Sequence, residues 1–209
     1  MQHEWVRITE ADPEHSARYA ERFRTMEAEG RDLHGEARFI DAMVGRGAHV
    51  LDAGCGPGRV GGELAARGHR VVGVDIDPVL IAVAEADHPD PLWICGDLTE
   101  LDLTGHGVAE PFDAIVCAGN VMTFVAPEAR VEILRRFGLH LAPDGRAVVG
   151  FGAGRGYEFD EFLDDATSAG LAPDLLLSTW DLRPFPGPSD FLVAVLVRVD
   201  AATEETTGR

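Results

Sequence analysis

The fold is decided by one segment, His49–Val60, which has the sequence HVLDAGCGPGRV. Its residues Val50–Ala53 predict a buried strand, and the strand runs directly into a glycine-rich turn that a helix follows. Glycines in such a turn let the backbone come close to a ligand, and the unpaired N–H groups of the next helix favour an anionic or polar group. The segment therefore predicts a ligand site at the carboxyl end of the first strand.

Short apolar runs alternate with helical stretches from this segment onward, which is typical of βαβ units. The expected strands are Val50–Ala53, Val71–Val74, Leu92–Cys95, Phe112–Ala118, Ala147–Phe151, Leu175–Thr179 and Phe191–Val197. Three prolines between Asp181 and Asp190 leave no room for a helix, so strands six and seven should be antiparallel. We therefore expect an α/β fold: a Rossmann-like three-layer sandwich with a seven-stranded, mostly parallel sheet whose last strand is antiparallel.

Two helices are expected before the first strand. Asp12-Pro13-Glu14 is typical of a helix start, and that helix should run to about Glu29 and end at Gly30. A second should run from about Glu36 to Val44. The sequence thus predicts one domain over residues 1–209, with a helical cap (1–45), a Rossmann-like core (46–199) and a flexible tail (200–209).

Composition excludes several classes of protein. The net charge of −18, without any lysine, disfavours nucleic acid as a partner because the protein would repel its phosphates. No apolar run approaches the roughly 20 residues of a membrane span, and the amino terminus lacks signal-peptide features. Three distant cysteines without a C-x-x-C pair indicate free thiols and no metal site. We expect a cytoplasmic protein that acts on a small molecule, while the oligomeric state stays open.

A carboxylate follows the second strand at the distance typical of nucleoside-binding sites. Asp75 lies about 20 residues after the glycine turn and could accept hydrogen bonds from both ribose hydroxyls. Gly56, Gly58 and Gly61 also match the dinucleotide fingerprint G-x-G-x-x-G. However, the first glycine after the strand is Gly54, and from that glycine the fingerprint fails. A nucleoside cofactor is predicted, and spacing alone does not exclude NAD(P).

Five segments in the right order resemble the class I S-adenosylmethionine-dependent methyltransferases. Leu51–Gly58 resembles their motif I, and Val74–Pro78 resembles the acidic loop that follows it. The other three are Cys95–Leu98, Phe112–Asn120, which resembles motif IV, and Leu141–Arg146. The resemblance covers residues 49–151 and implies S-adenosyl-L-methionine as the cofactor.

The resemblance also implies a set of cofactor-binding residues. The glycines would line the methionine end, Asp75 the ribose, Asp97 and the Leu98 N–H the adenine, and the Ala118 carbonyl the ammonium group. The full set is Asp52, Gly54, Gly56, Gly58, Asp75, Ile76, Asp97, Leu98, Ala118 and Asn120. Structural alternatives stay open: Asp75 could cap a helix, Asp97 could form a turn, and Ile76 could belong to the core.

The first helix is predicted to cover the cofactor as a lid. Tyr19, Arg22, Phe23 and Met26 fall at i, i+3, i+4 and i+7 and form one stripe. Arg22 could pair with the cofactor's carboxylate, and Tyr19 could hydrogen-bond near it. Alternatively, Arg22 extends to water from a packed face.

The acceptor substrate is expected beyond strands five and six, at the same edge of the sheet. The predicted substrate-binding residues are Arg155, Tyr157, Trp180 and Arg183, in loops that leave these strands. Trp180 could instead cover the sheet edge. No residue is singled out as catalytic, because methyl transfer from a sulfonium depends mainly on alignment of the reactants. Two alternatives stay open: an NAD(P)-dependent oxidoreductase, and a domain that binds the cofactor without turnover.

Overall fold

Seven strands form a single sheet in the computed structural model, which describes residues 2–185 and 189–199. The strands are β1 (His49–Ala53), β2 (Arg70–Asp75), β3 (Leu92–Cys95), β4 (Phe112–Cys117), β5 (Leu141–Gly152), β6 (Leu171–Leu177) and β7 (Phe191–Arg198). Their order is β3-β2-β1-β4-β5-β7-β6. The first five pair in parallel, and β7 is antiparallel to both β5 and β6. The predicted fold class is confirmed.

Eight α-helices accompany the sheet in the described ranges. They are α1 (Glu4–Ala11), α2 (His15–Ala28), α3 (Gly35–Met43), α4 (Arg59–Ala66), α5 (Pro78–Asp87), α6 (Val121–Phe124), α7 (Arg130–His140) and α8 (Phe159–Ser168). None of these helices combines the length and the apolar character that crossing a bilayer requires.

Alternate residues of the central strands enter separate cores on the two faces of the sheet, as the pleat of a strand requires. Leu51 and Ala53 of β1 face the layer of α7 and α8, whereas Val50 faces α3 and α4. Because both faces are covered, the central strands are apolar almost throughout, which is typical of parallel sheets. Their carboxyl ends are therefore held firmly, and the loops that leave them share one edge.

The helical cap differs from the prediction. The first expected helix begins at His15 rather than at Asp12, and a separate helix, α1, precedes it. The end at Gly30 is confirmed, since Gly30 adopts a φ of +75° directly after the helix. Helix α1 has no side-chain cap and no fully buried residue, so its sequence carries no strong helix signal.

Strands β1 and β2 begin one residue earlier than predicted, and β5 and β6 begin several residues earlier. Strand β5 starts at Leu141 instead of Ala147, with a register irregularity opposite Phe112 and Ala114. Strand β6 starts at Leu171, so Pro173 lies inside it rather than before it. Because β6 is an edge strand and shifts register after Pro173, the missing N–H is tolerated. The predicted tail (200–209) and the loop prolines Pro186 and Pro188 lie outside the described residues.

Candidate functional site

A cavity opens at the carboxyl ends of β1, β2, β3 and β4. It encloses about 940 Å³ including the solvent space at its open mouth. Nine of the predicted cofactor-binding residues line it: Tyr19, Asp52, Gly54, Gly56, Asp75, Ile76, Asp97, Leu98 and Ala118. The sheet therefore brings together most of the residues that the sequence singled out.

The glycine-rich turn forms the floor of this cavity. Gly54 has a φ of +76°, and its N–H donates to the Val74 carbonyl at 2.8 Å. A Cβ on Gly54 would overlap the side chain of Val121. Only glycine therefore allows the turn to bend here while α6 packs against it.

Asp75 lies at the end of β2 and fastens the glycine turn to the next loop. Its Oδ2 accepts the Gly56 N–H at 2.8 Å, and its Oδ1 accepts the Asp77 N–H at 2.9 Å. Burial raises the pKa of Asp75 to about 6, although both backbone hydrogen bonds oppose that rise. Each oxygen keeps a lone pair for a further donor, so the carboxylate could accept two hydroxyls of a ribose.

Asp52 lies under the turn, on β1. One of its oxygens accepts the Gly61 N–H at 2.8 Å, which ties the strand to the first turn of α4. Burial raises its pKa to about 7. This carboxyl group therefore orders the loop from beneath the turn.

Asp97, after β3, begins a short 3-10 turn. Its Oδ1 accepts the Thr99 N–H at 2.8 Å and the Thr99 hydroxyl at 2.7 Å. Burial tends to raise the pKa of Asp97, but the hydrogen bonds from Thr99 and His3 outweigh burial and hold the pKa below its ordinary value. Asp97 is thus an ionised acceptor at the cavity end beyond β3.

Four aromatic side chains line the opposite side of the cavity, and we call them the aromatic roof: Trp5, Tyr19, Phe23 and Phe124. They meet edge to face, with ring centroids 5.2 Å apart for Trp5 and Tyr19 and 5.5 Å apart for Trp5 and Phe124. The Tyr19 ring lies close to Gly56, and the Tyr19 hydroxyl lies close to Gly119. Helix α2 therefore lies over the glycine turn, where the lid was predicted, and α1 lies there beside it.

Three predicted cofactor residues do not line the cavity. Gly58 caps the start of α4 and lies against Trp93 and Ala84 on the far side of the turn. Asn120 uses its side-chain oxygen to accept the Gly152 N–H at 2.8 Å, which joins the ends of β4 and β5. Arg22 is exposed, and its guanidinium stacks on Tyr19 at 5.0 Å from the ring centroid, outside the roof.

The four predicted substrate residues do not converge on the cavity. Tyr157 is fully buried, donates its hydroxyl to Asp165 at 2.7 Å and carries the Arg130 guanidinium 3.8 Å from its ring centroid. Trp180 turns to the α3 face, where it packs on Phe39.

The two predicted arginines lie on the surface. Arg183 is exposed and pairs with Asp181 at 3.3 Å. Arg155 is exposed beside Gly152, near the Asn120 oxygen, and is the predicted substrate residue that stays at the carboxyl edge.

Other residues that were not predicted to bind the cofactor also line the cavity, among them His3, Trp5 and Arg59. Arg59 could have been found from its place, because it is the first residue of α4 directly after the glycine turn. Its guanidinium pairs with Glu36 at 2.6 and 2.9 Å. His3 and Trp5 reach the cavity only through the position of α1, which no local signal in the sequence indicates.

The charges of the cavity define which ligands fit it. Asp52, Asp75 and Asp97 face it, while Arg59, the one arginine that lines it among the described residues, is neutralised by Glu36. A ligand with hydroxyl and amino donors and a positive centre suits such a wall, whereas a pyrophosphate would meet carboxylates. In the described part of the chain, no cluster of His, Cys, Asp or Glu is arranged to hold a metal ion.

Comparison with known proteins gives a consistent result. The family described as "Methyltransferase domain" matches residues 50–145. A solved structure of a TehB-like S-adenosylmethionine-dependent methyltransferase from Corynebacterium glutamicum is 49% identical. It covers 90% of this chain and 100% of its own, with a TM-score of 0.84.

Curated relatives match over a shorter stretch. A dTDP-3-amino-3,6-dideoxy-alpha-D-glucopyranose N,N-dimethyltransferase of Streptomyces fradiae is 30% identical over 59% of this chain and 48% of its own length. A magnesium-protoporphyrin O-methyltransferase of Rhodobacter capsulatus is 34% identical over 59% of this chain and 53% of its own. The chain thus spans about half the length of these relatives.

Proposed function

The chain belongs to the class I S-adenosylmethionine-dependent methyltransferases, and from that membership we propose that it transfers a methyl group from S-adenosylmethionine to a small-molecule acceptor. The observation that carries the proposal is the position of Asp75 and its hydrogen bonds. Asp75 holds the glycine turn and the next loop with one hydrogen bond per oxygen, and it lines the cavity. That arrangement suits a ribose between the turn and the loop after β3.

The protein's part in the reaction is chiefly to bind and to align. When bound, the cofactor supplies an activated methyl group on a positively charged sulfur. Asp75 would hold the ribose and Asp97 the amino group of the base, while the glycine turn would accommodate the methionine end. The aromatic roof would exclude water above it, and aromatic faces also stabilise a cation.

The acceptor is proposed to need no general base from the protein. Of the cavity's titratable side chains, Asp52 is bound to the Gly61 N–H beneath the turn, and burial raises the pKa of Tyr19 above its ordinary value. Asp52 therefore lies on the far side of the turn from the roof, and burial disfavours the phenolate form that Tyr19 would need to take a proton. An acceptor that already exists in nucleophilic form, such as a free amine, fits this wall.

A small molecule is a better acceptor than a nucleic acid or a nucleoside diphosphate. The chain carries a charge of −18, and Arg59 has no free charge to offer a phosphate. The same argument weakens the NAD(P) alternative, because a dinucleotide would place its pyrophosphate beside the glycine turn. We also propose a location in the cytoplasm, which is a reducing compartment, because Cys55, Cys95 and Cys117 are free thiols.

The proposal is tested by calorimetric titration of the full chain with S-adenosylmethionine, S-adenosylhomocysteine and NADH. We expect saturable binding of the first two and none of NADH; the reverse pattern would reject the proposal. A panel of small amines, thiols and phenols is then incubated with labelled S-adenosylmethionine. Release of S-adenosylhomocysteine with a labelled product distinguishes an enzyme from a domain that only binds the cofactor.

A further inference from the structure

His3 joins three distant parts of the chain. It precedes α1, is 8% exposed and lines the cavity. Its Nε2 lies 3.1 and 3.3 Å from the two oxygens of Asp97, and its Nδ1 lies 3.1 Å from the Ala126 nitrogen. Both ring nitrogens are therefore engaged, one by the loop after β3 and the other by the segment after α6.

The partners of His3 assign its tautomer. The Ala126 N–H is a donor, so Nδ1 must accept and carries no proton. The proton of the neutral imidazole is then on Nε2, which donates to Asp97. Because a backbone N–H cannot reverse its role, this hydrogen-bonding direction is imposed by the fold.

One oxygen of Asp97, Oδ2, can accept a further hydrogen bond. Its Oδ1 is occupied by the N–H and hydroxyl of Thr99, whereas Oδ2 has His3 as its partner among the described residues. A second lone pair on Oδ2 stays open, and the carboxylate is 31% exposed. His3 therefore orients the acceptor without saturating it.

A second tether holds α1 in the same place. The Trp5 Nε1–H donates to the Asp77 Oδ2 at 2.8 Å, and the Ser16 hydroxyl reaches the same oxygen. The other oxygen, Oδ1, accepts the Val79 N–H at 2.9 Å at the start of α5. The start of the chain is thus attached to both loops that carry the predicted ribose and base contacts.

We propose that His3 is a positioning residue for the cofactor's base: it fixes the Asp97 carboxylate so that its free lone pair meets the exocyclic amino group. The inference rests on the proposed function. It makes docking of α1 and binding of the nucleoside mutually dependent, because each is stabilised by the same carboxylate.

The test compares wild type, His3→Ala, His3→Gln, Asp97→Ala and the double variant His3→Ala/Asp97→Ala by titration of the full chain with S-adenosylhomocysteine. We expect His3→Ala to weaken binding about tenfold, the effect of one hydrogen bond to a charged group. The affinity of His3→Gln should fall by less than about threefold, because the glutamine amide can donate to Asp97. In the Asp97→Ala background, removal of His3 should weaken binding further by less than about twofold.

A second readout separates positioning from general destabilisation. S-inosylhomocysteine presents a carbonyl where the adenine has its amino group, so an oriented Asp97 should discriminate strongly against it. His3→Ala should reduce the ratio of the two affinities, whereas a loosened fold would weaken both ligands equally and leave the ratio unchanged.

The outcomes are distinguishable. Unchanged affinity in His3→Ala, additive losses in the double variant, or an unaltered adenosyl-to-inosyl ratio would each overturn the role of His3. If the wild-type chain bound neither S-adenosylmethionine nor S-adenosylhomocysteine, the proposed function itself would fail.

Discussion

The two halves of the sheet's carboxyl edge differ in how well the sequence predicts which side chains line the cavity. At β1, β2 and β3 the turn of Gly54, the carboxylate of Asp75 and the loop of Asp97 all meet at one cavity. At β5 and β6 the expected aromatic residues turn away: Tyr157 enters the core and Trp180 packs on α3. Backbone-defined sites can be located from a motif, whereas the direction of a loop side chain depends on its tertiary neighbours.

The glycine turn offers the largest expected effect within this comparison. Gly54→Ala combines a left-handed φ with an overlap against Val121, so we expect a loss of about 3 kcal/mol in the free energy of unfolding. Cofactor binding should be lost with it. Urea denaturation and calorimetry measure the two effects.

Gly47→Ala is the matched control. Gly47 has a φ of +71°, and nothing lies within 4 Å of a Cβ placed on it. It should cost only about 1 kcal/mol, the conformational part alone. Equal losses in both variants would show that the Val121 contact is unimportant.

Asp75→Ala tests the ribose assignment. Removal of hydrogen bonds to a charged acceptor should weaken cofactor affinity by about 1.5–3 kcal/mol, or roughly 10- to 150-fold. Calorimetric titration measures this loss, and thermal unfolding without ligand shows whether the fold survives. An unchanged affinity would remove Asp75 from the binding site.

The pH dependence of binding should report the same carboxylate. Its pKa is about 6 in the free protein, and hydrogen bonds from a bound ribose favour the ionised form, so binding should release protons near pH 6. Affinity should therefore rise with pH through about 6 and fall up to roughly tenfold per unit below it. Titrations in buffers of different ionisation enthalpy measure the release, which should shrink in Asp75→Ala.

Tyr157→Phe tests the other half of the edge. The change removes the hydroxyl bonded to Asp165 while the ring stays packed under Arg130. We expect a loss of about 1–2 kcal/mol in the free energy of unfolding and no change in cofactor affinity. A specific loss of acceptor turnover, with stability unchanged, would instead restore Tyr157 to a substrate-binding role.

The smallest expected effects belong to the two surface arginines. Arg155→Ala and Arg183→Ala should each leave cofactor affinity within about twofold, because neither lines the cavity. Arg155 lies beside Asn120 and Gly152 at the carboxyl edge, so only its removal should slow turnover of an acceptor found in the panel. A slower Arg183→Ala variant would show that the β6 loop also contacts the acceptor.

Much of the fold was predictable because strand patterning and turn glycines are local signals. All seven strands and the antiparallel β7 are confirmed, with errors at the starts of β5 and β6. The start of β5 was missed because it depends on pairing with Phe112, and the start of β6 because Pro173 is tolerated only at an edge. Both are properties of strand neighbours rather than of the strand itself.

A site residue could be predicted where its position directly after a strand fixes its place. It could not be predicted where tertiary packing decides which group the side chain contacts. Asp75 and Asp97 follow strand ends directly, so their positions followed from the motif. Gly58 and Asn120 lie in the same motifs but serve the packing of α4 and the link to β5. His3 and Trp5 were not predicted to line the cofactor site because their side-chain hydrogen bonds there are with residues more than 70 positions away.

The aromatic roof gives the molecule an optical probe of its own. Trp5 is one of only three tryptophans, and the other two lie elsewhere: Trp93 behind the glycine turn and Trp180 on the α3 face. The indole N–H of Trp5 is bonded to a carboxylate, and its ring packs edge to face with its neighbours. Binding of a ligand in the cavity should therefore alter the fluorescence of Trp5. In a Trp180→Phe background, stopped-flow emission could follow ligand binding in real time without any labelled compound.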